Sequence, residues 1–379
     1  MNQNVLLTGG RILPTLSLVR LFSAAGYRVF VADSWESFIC SYSTSTVKGF
    51  LVPSPRWEIN NYLKALKTII KKEEISLLIP TFEEIFYLAS YLEELSSLCQ
   101  VFTTSFPQLK QLHNKWNFSQ KTKALGLLYP KTWLIKSRSD LVNCLRMSIP
   151  SRLIIKPVYS RFASDIYVLN QPVERLPKVE ISEKKPWILQ EFIPGQEYST
   201  YSVAHEGKLT AHVTYLKSVD SLQVITATEQ ENIFDWVSNF LEKECFTGQI
   251  AFDFIVDEYD DIYPLDCNLR VTEGVHLFHP HDDLVTAFLN SNDDLVKPRR
   301  NLKITNSLAT MYQGFFPKFI LTKVKQGWQG LTQTQDQVFR LKDPLPNYVF
   351  FKKYLGCNNP ENFVQDLEWN GEIQVEKLS

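Results

Sequence analysis

The chain has 379 residues, 40 Lys and Arg against 41 Asp and Glu for a formal charge of -1, and 44% apolar residues. That length suggests two or three domains at roughly 150 residues each, and the apolar share can support a sizeable core. Balanced charge gives no general pull toward nucleic acid or an anionic membrane. No stretch approaches the ~18 uninterrupted apolar residues of a membrane helix, and Met1–Asn4 runs straight into Val5-Leu6-Leu7 instead of a secretory leader. The six scattered cysteines lack CxxC spacing, so neither a disulfide framework nor a zinc site is expected. A soluble cytoplasmic enzyme is the expectation. Glycine is scarce: 14 residues, about half the usual ~7%; phosphate-binding loops normally lean on glycine, so the scarcity by itself tells against nucleotide binding.

Residues 1–112 alternate short apolar runs with helical patterns. Val5–Leu7 reads as a strand, Thr8-Gly9-Gly10-Arg11 as a turn, and Leu16, Val19 and Phe22 as a helical stripe ending at Gly26. A strand over Arg28–Ala32, a helix over Tyr62–Lys72, a strand at Leu77–Ile79, a helix over Glu84–Leu95 and a strand at Val101–Thr103 follow. This rhythm predicts a parallel sheet covered by helices. Ligands collect at carboxyl ends of such strands, which marks Gly10 and Arg11 after the first strand, and Glu83 and Glu84 after Leu77–Ile79, as candidate substrate-binding residues. Arg11 suits a carboxylate and Glu84 an ammonium. Against this, acidic residues also simply favour a helix N-terminus. The turn lacks GxGxxG spacing, so a dinucleotide fingerprint is not supported.

From about residue 113 the pattern changes to an α+β one. Arg152–Lys156, Ile166–Leu169, Trp187–Phe192, Tyr198–Val203, Lys208–Tyr215, Gln249–Val256 and Ile262–Asn268 read as strands, with a helix at Ile233–Glu244. Lys115 begins an amphipathic stretch and Lys156 ends an apolar strand, where an ammonium can meet phosphate; either can also be an ordinary surface lysine. In Trp187–Glu197, Glu191 and Glu197 flank a Pro-Gly turn and could accept from an adenine amino group and ribose hydroxyls respectively; an ordinary hairpin with solvated glutamates is the competing reading. Asp253, and Asp266, Asn268 and Arg270 with their alternating spacing, put two carboxylates and an amide oxygen within reach of a hard cation such as Mg²⁺, with Arg270 beside any phosphate. A solvated outer face is the competing reading. Asp257–Asp261 reads as a wet turn rather than a calcium loop, and His279-Pro280-His281 as a turn rather than a metal pair. Residues 301–379 show neither repeat nor low complexity.

In order and spacing, Lys115, Lys156, Glu191 with Glu197, Asp253 and Asp266-Cys267-Asn268-Leu269-Arg270 resemble the ATP-grasp superfamily over roughly residues 1–290. The resemblance implies a Rossmann-like domain over 1–112, an ATP-grasp domain of two α+β lobes over 113–300, and a C-terminal extension, 301–379, packed on it. It further implies that ATP phosphates are held by Lys115 and Lys156, adenine by the Gln190-Glu191-Phe192-Ile193 backbone, and ribose by Glu197. Asp253, Asp266 and Asn268 would bind Mg²⁺, with Mn²⁺ as an alternative. Arg270 would stabilise the transferring phosphoryl group, alongside Lys156 and Arg161.

The implied reaction is a carboxylate–amine ligation, ADP-forming, through an acyl phosphate. Small-molecule acid and amine are the partners, nucleic acid and membrane are excluded, and a homodimer is an open option. Trp187–His212 also looks similar to mycosporine-glycine ligases, which activate an enol oxygen. Two departures stand out. Asp266 replaces the usual glutamate, and the phosphate loop Val158–Ile166 has no glycine, leaving Ser160, Ser164 and Arg161 as its polar groups. A non-catalytic nucleotide-binding homologue and an NAD-linked oxidoreductase are the rival readings.

Overall fold

The computed structural model describes residues 3–147, 150–160, 165–173, 176–217, 224–289, 294–299, 302–305, 335–354 and 364–369. The chain forms two compact units, one of Met1–Phe106, Ser199–Ala251 and Asn268–Ser379, the other of Pro107–Tyr198 and Phe252–Cys267.

The first unit contains a parallel sheet of β1 (Asn4–Thr8), β2 (Arg28–Asp33), β3 (Thr46–Leu51), β4 (Leu77–Ile79) and β5 (Gln100–Val101), in the order β3-β2-β1-β4-β5. Leu6 of β1 lies opposite Phe30 on one side and Leu78 on the other. Successive strand side chains face opposite ways. Val5, Leu7, Val31 and Ile79 therefore pack with Leu18 and Phe22 of α1 (Leu13–Ala24), while Leu6, Phe30 and Leu78 pack with Tyr62, Leu66 and Ile70 of α2 (Ile59–Lys72). Burial on both faces is why these strands read as unbroken apolar runs.

Pro14 opens α1, and Gly26, at φ +87°, closes it. The Tyr27 amide reaches the Phe22 carbonyl and the Gly26 amide that of Ser23, both at 3.0 Å. This is a Schellman closure, sealed by the Phe22–Tyr27 ring contact. The helix expected over Glu84–Leu95 is broken at Ser90–Tyr91 into α3 (Glu84–Ala89) and α4 (Leu92–Ser96). β3 escapes sequence reading because its residues are mostly exposed, as befits an edge strand.

The same unit holds an antiparallel run of β10 (Gln196–His205), β11 (Lys208–Lys217), β12 (Ile225–Thr228) and β15 (Lys303–Thr305), with β16 (Gln335–Asp336) parallel to β15. Glu206 and Gly207 join β10 to β11 with φ of 45° and 86°, a left-handed pair that matches strand twist in a two-residue hairpin. The first residues of β13 (Gly248–Val256) lie beside β10. Three further helices belong here: α8 (Glu231–Glu244), α9 (Leu284–Leu289) and α10 (Leu345–Val349).

The second unit has an antiparallel sheet of β6 (Thr132–Ile135), β7 (Arg152–Pro157), β8 (Tyr167–Asn170) and β9 (Trp187–Glu191), in the order β6-β9-β7-β8. Its core is Ile135, Leu141, Leu153, Ile155, Leu169, Trp187 and Leu189. α5 (Phe106–His113) leads into it, followed by α6 (Lys115–Ala124) and α7 (Arg138–Arg146). The rest of β13 pairs with β14 (Ile262–Asn268) across a turn in which Asp257 Oδ1 accepts from the Tyr259 and Asp261 amides. No helix among the described residues is long and apolar enough to cross a membrane.

Candidate functional site

Within the second unit, two buried lysines from separate elements converge on β14. Lys115 opens α6, whose start is fixed by the Asn114 side chain accepting from the Asn117 amide at 2.9 Å. Its ammonium donates to Asp266 Oδ1 at 3.0 Å, lies 2.8 Å from Oδ2, and donates to the Ser160 carbonyl at 3.1 Å. Lys156, from β7, donates to the Leu265 carbonyl at 3.1 Å. Burial pushes the Lys156 ammonium down to about 8, against the opposing pull of Asp266. For Asp266, burial acts to raise the carboxyl, but Lys115 and then Lys156 bring it below its ordinary value. Asp266 thus stays an anion between two cations, and Asp253 adds a further attraction on Lys156.

The root of the glycine-free loop is tied to the same helix. The Lys115 amide donates to the Val158 carbonyl, and Asn114 donates to the Tyr159 hydroxyl at 2.9 Å. Ser160 lies here; Arg161 and Ser164 lie outside the described residues.

β9 carries the residues expected to face adenine. Gln190 sits between Thr132 of β6 and Ile154 of β7 in the two ladders. The Glu191 amide donates to the Lys131 carbonyl and that of Phe192 to the Arg152 carbonyl. Ile193 is the first residue past these bonds, ahead of Pro194-Gly195. A Cβ on Gly195 would fall 2.2 Å from the Val256 carbonyl, so glycine is demanded there by the passing β13 strand. The Gln190 side chain is 3% exposed, and its Nε2 donates to Thr132 Oγ1, while its buried Oε1 has no partner among the described residues. An orphaned buried acceptor is expensive unless a ligand donor meets it. Glu191 Oε2 accepts from the Lys131 amide at 3.3 Å, and Glu197 is exposed on β10.

In the first unit, the loops after β1, β2 and β4 gather the other candidates. Arg11 is fully buried and its side chain is engaged throughout. Nε donates to Asp33 Oδ1 at 2.8 Å, Nη1 to Asp366 Oδ1 at 2.6 Å, and Nη2 to Asp366 Oδ2 at 3.1 Å and Ser34 Oγ at 2.8 Å. The Arg11 amide donates to Asp33 Oδ2 at 2.7 Å. Burial alone would lower the guanidinium, but Asp33 and Asp366 carry its pKa above the ordinary value. The carboxylates that Arg11 meets are therefore the chain's own. Gly10 is set by packing, since a Cβ would lie 2.6 Å from Phe38 and Val31.

Glu84 Oε1 accepts from Thr8 Oγ1 at 2.7 Å and from the Thr81 and Phe82 amides, whereas its buried Oε2 has no partner among the described residues. Burial raises its carboxyl above the ordinary range. Glu83 Oε2 accepts from the Trp369 amide at 3.1 Å. Arg270 joins this group, with its guanidinium 5.0 Å from the Phe82 ring centre and Nη2 donating to Asn268 Oδ1 at 3.1 Å. The following amide, Val271, donates to the Thr81 carbonyl.

Asp33, Ser34, Asp366 and Trp369 were not legible as site residues. Asp33 sits at a strand exit, a signal that could have found it; Asp366 follows Arg11 by 355 residues and carries no motif.

Asp253, Asp266 and Asn268 supply oxygen donors only. That suits Mg²⁺, a hard cation that completes its shell with water and substrate phosphate rather than needing an all-protein cage. Among the described residues, no group of three or more His, Cys, Asp or Glu is placed to hold a metal ion.

No protein-family model matches the sequence, and no curated protein does. Solved structures match at the level of fold. An N5-carboxyaminoimidazole synthetase from Staphylococcus aureus, complexed with ADP, is 14% identical with a TM-score of 0.65, over 80% of this chain and 81% of that one. A phosphoribosylamine–glycine ligase from Thermotoga maritima is 16% identical with a TM-score of 0.59, over 78% of each chain. An L-amino acid ligase from Bacillus licheniformis is 14% identical with a TM-score of 0.55, over 72% of this chain and 68% of that one. The mycosporine-glycine resemblance draws no support from these structures. The fold of the chain, with its parallel Rossmann-like sheet and its antiparallel sheets, is that of the ATP-grasp carboxylate–amine ligases.

Proposed function

We propose that the chain is an ATP- and Mg²⁺-dependent, ADP-forming ligase that activates a small carboxylate as an acyl phosphate for attack by an amine, in a cytoplasmic setting. The observation that carries this reading is the buried pair Lys115 and Lys156 around Asp266. Two buried ammonium groups beside Asp266, with Asp253 also near Lys156, form a pair suited to polyphosphate once both carboxylates are taken up by the cation. The orphaned Gln190 Oε1 and the Ile193 position at the exit of β9 suit an adenine edge, with Glu197 toward ribose.

Asp253, Asp266 and Asn268 are the proposed Mg²⁺ ligands. When bound, the ion offsets charge on the phosphates during transfer. For Asp266 to serve, Lys115 must release it, and the phosphates give that ammonium a new anion. Arg270, delocalised and beside the Phe82 loop, is the cation proposed for the transferring phosphoryl group, with Lys156 and Arg161 in support. Phosphorylation supplies the leaving group that a carboxylate lacks, and the incoming amine displaces phosphate. The crevice of Gly10, Arg11, Glu83 and Glu84 is the proposed substrate side.

The test is ADP release by the purified chain with ATP, Mg²⁺ and a broad panel of acids and amines. ADP formation that needs both an acid and an amine is the expected result. Normal ATP binding with no ADP from any pair would overturn the ligase reading and leave a nucleotide-binding homologue.

A further inference from the structure

The carboxyl ends of β1, β2 and β4 converge where the strand order turns: β1 leads to β2 on one side and is flanked by β4 on the other. Open α/β sheets bind their ligands in the crevice at such a switch point. Here the crevice holds the chain's own segment 364–369. Asp366 meets the Arg11 fork with both oxygens and also accepts from Ser34 Oγ. Three residues on, the Trp369 amide donates to Glu83.

Around these two polar anchors the segment is packed in. Trp369 is fully buried, stacked on Phe86 at 4.6 Å and edge-on to Phe106 at 5.8 Å. Val364 and Leu367 pack with Phe82. The Tyr87 hydroxyl donates to the Glu368 carbonyl at 2.6 Å, and Arg56 donates to that of Gln365 at 2.7 Å.

One pattern runs through these contacts. A carboxylate sits on the site's arginine and an N–H donor on its glutamate, the two groups that a small zwitterion would present. We propose that segment 364–369 is a built-in pseudosubstrate: Asp366 and the Trp369 amide occupy the positions of the carboxylate and ammonium of an amino-acid-like substrate, which must displace the segment to bind. Asp33 remains on Arg11 in both states and keeps the arginine oriented, so only the Asp366 arm of the fork is exchanged. The inference rests on the ligase reading for which face takes substrate, but its test reads the segment directly.

Amide hydrogen exchange across 364–369 is measured in the full chain with ATP and Mg²⁺, adding an equimolar mixture of the common L-amino acids, sodium acetate, or methylammonium chloride at matched ionic strength. ADP is measured in the same samples. Linkage predicts that the amino acids, at about ten times their Kd for the opened crevice, raise exchange in this segment about tenfold. The two salts should leave it unchanged. Asp366→Asn, which keeps the shape and removes the charge, should raise exchange without any additive and lower the amino-acid concentration needed.

Unaltered exchange under all three additives, in the wild type and Asp366→Asn alike, overturns the proposal whether or not ADP forms; ADP in those samples would show that the ligase reading survives it. Release by acetate alone overturns the zwitterion assignment. Release by the amino acids without ADP upholds the pseudosubstrate and counts against ligase activity.

Discussion

Lys156 is nearly fully buried and, among the described residues, its ammonium donates to a carbonyl rather than to a carboxylate, so it is a liability to the fold that a bound anion would redeem. Lys156→Met keeps the stem and deletes the charge. It is expected to raise stability by about 1–3 kcal/mol in urea unfolding and to weaken ATP binding at least tenfold by calorimetry. A variant that loses both would reduce Lys156 to a packing residue. His276 makes a different case. It is buried, its Nδ1 lies 2.7 Å from Ser17 Oγ, and burial holds its pKa down to about 4. Between pH 6.5 and 4 the unfolded histidine binds a proton that the folded one refuses, so stability falls on acidification through that window, by up to about 3 kcal/mol. His276→Asn should flatten this part of the stability–pH curve; an unchanged slope would exonerate His276.

At the scale of elements, the proposed site leans on two joints. Gly195 lets the chain leave β9 against Val256, and the 2.2 Å approach to a backbone carbonyl leaves nothing flexible to give way. Gly195→Ala is expected to destabilise the protein by about 2–4 kcal/mol in urea unfolding. The Pro-Gly turn was legible in the sequence; its reason, a neighbouring strand some sixty residues on, was not. Asn114 is the second joint, capping α6 and holding Tyr159 at the loop root. Asn114→Ala should lower stability by about 1 kcal/mol and weaken ATP binding through Lys115, with Asn114→Ser recovering the cap but not the Tyr159 bond. Equal nucleotide affinity in all three proteins would sever the loop root from the site. The alternating strands, and β7 up to Lys156, one residue short of its end at Pro157, were readable because their burial follows a short period. β3, the break between α3 and α4, and the partner of each charge depend on distant neighbours, which no local pattern encodes.

For the molecule as a whole, the least legible feature is the return of residues 364–369 to the first sheet. Nothing in Val364–Trp369 announces a core segment, yet Trp369 is among the largest fully buried side chains. Trp369→Ala is expected to cost about 3–5 kcal/mol by thermal or urea unfolding, far more than a surface change; a loss below about 1 kcal/mol would mean the ring is only loosely seated. The fold itself was readable because five short motifs fell in order. The proposed acid and amine were not, because the proposed substrate crevice is assembled from side chains brought together across hundreds of residues.

That long return also sets a schedule. Arg11 and Asp366 are separated by 355 residues, which at about 5–20 residues per second takes roughly 20–70 s of synthesis. Throughout that interval the growing first sheet holds Arg11 with Asp33 and Ser34 but without Asp366, and leaves the Phe86 ring without its indole cover. The nascent protein thus passes through a stage in which its crevice is open and its hydrophobic rim is bare, before its own later residues arrive to close it.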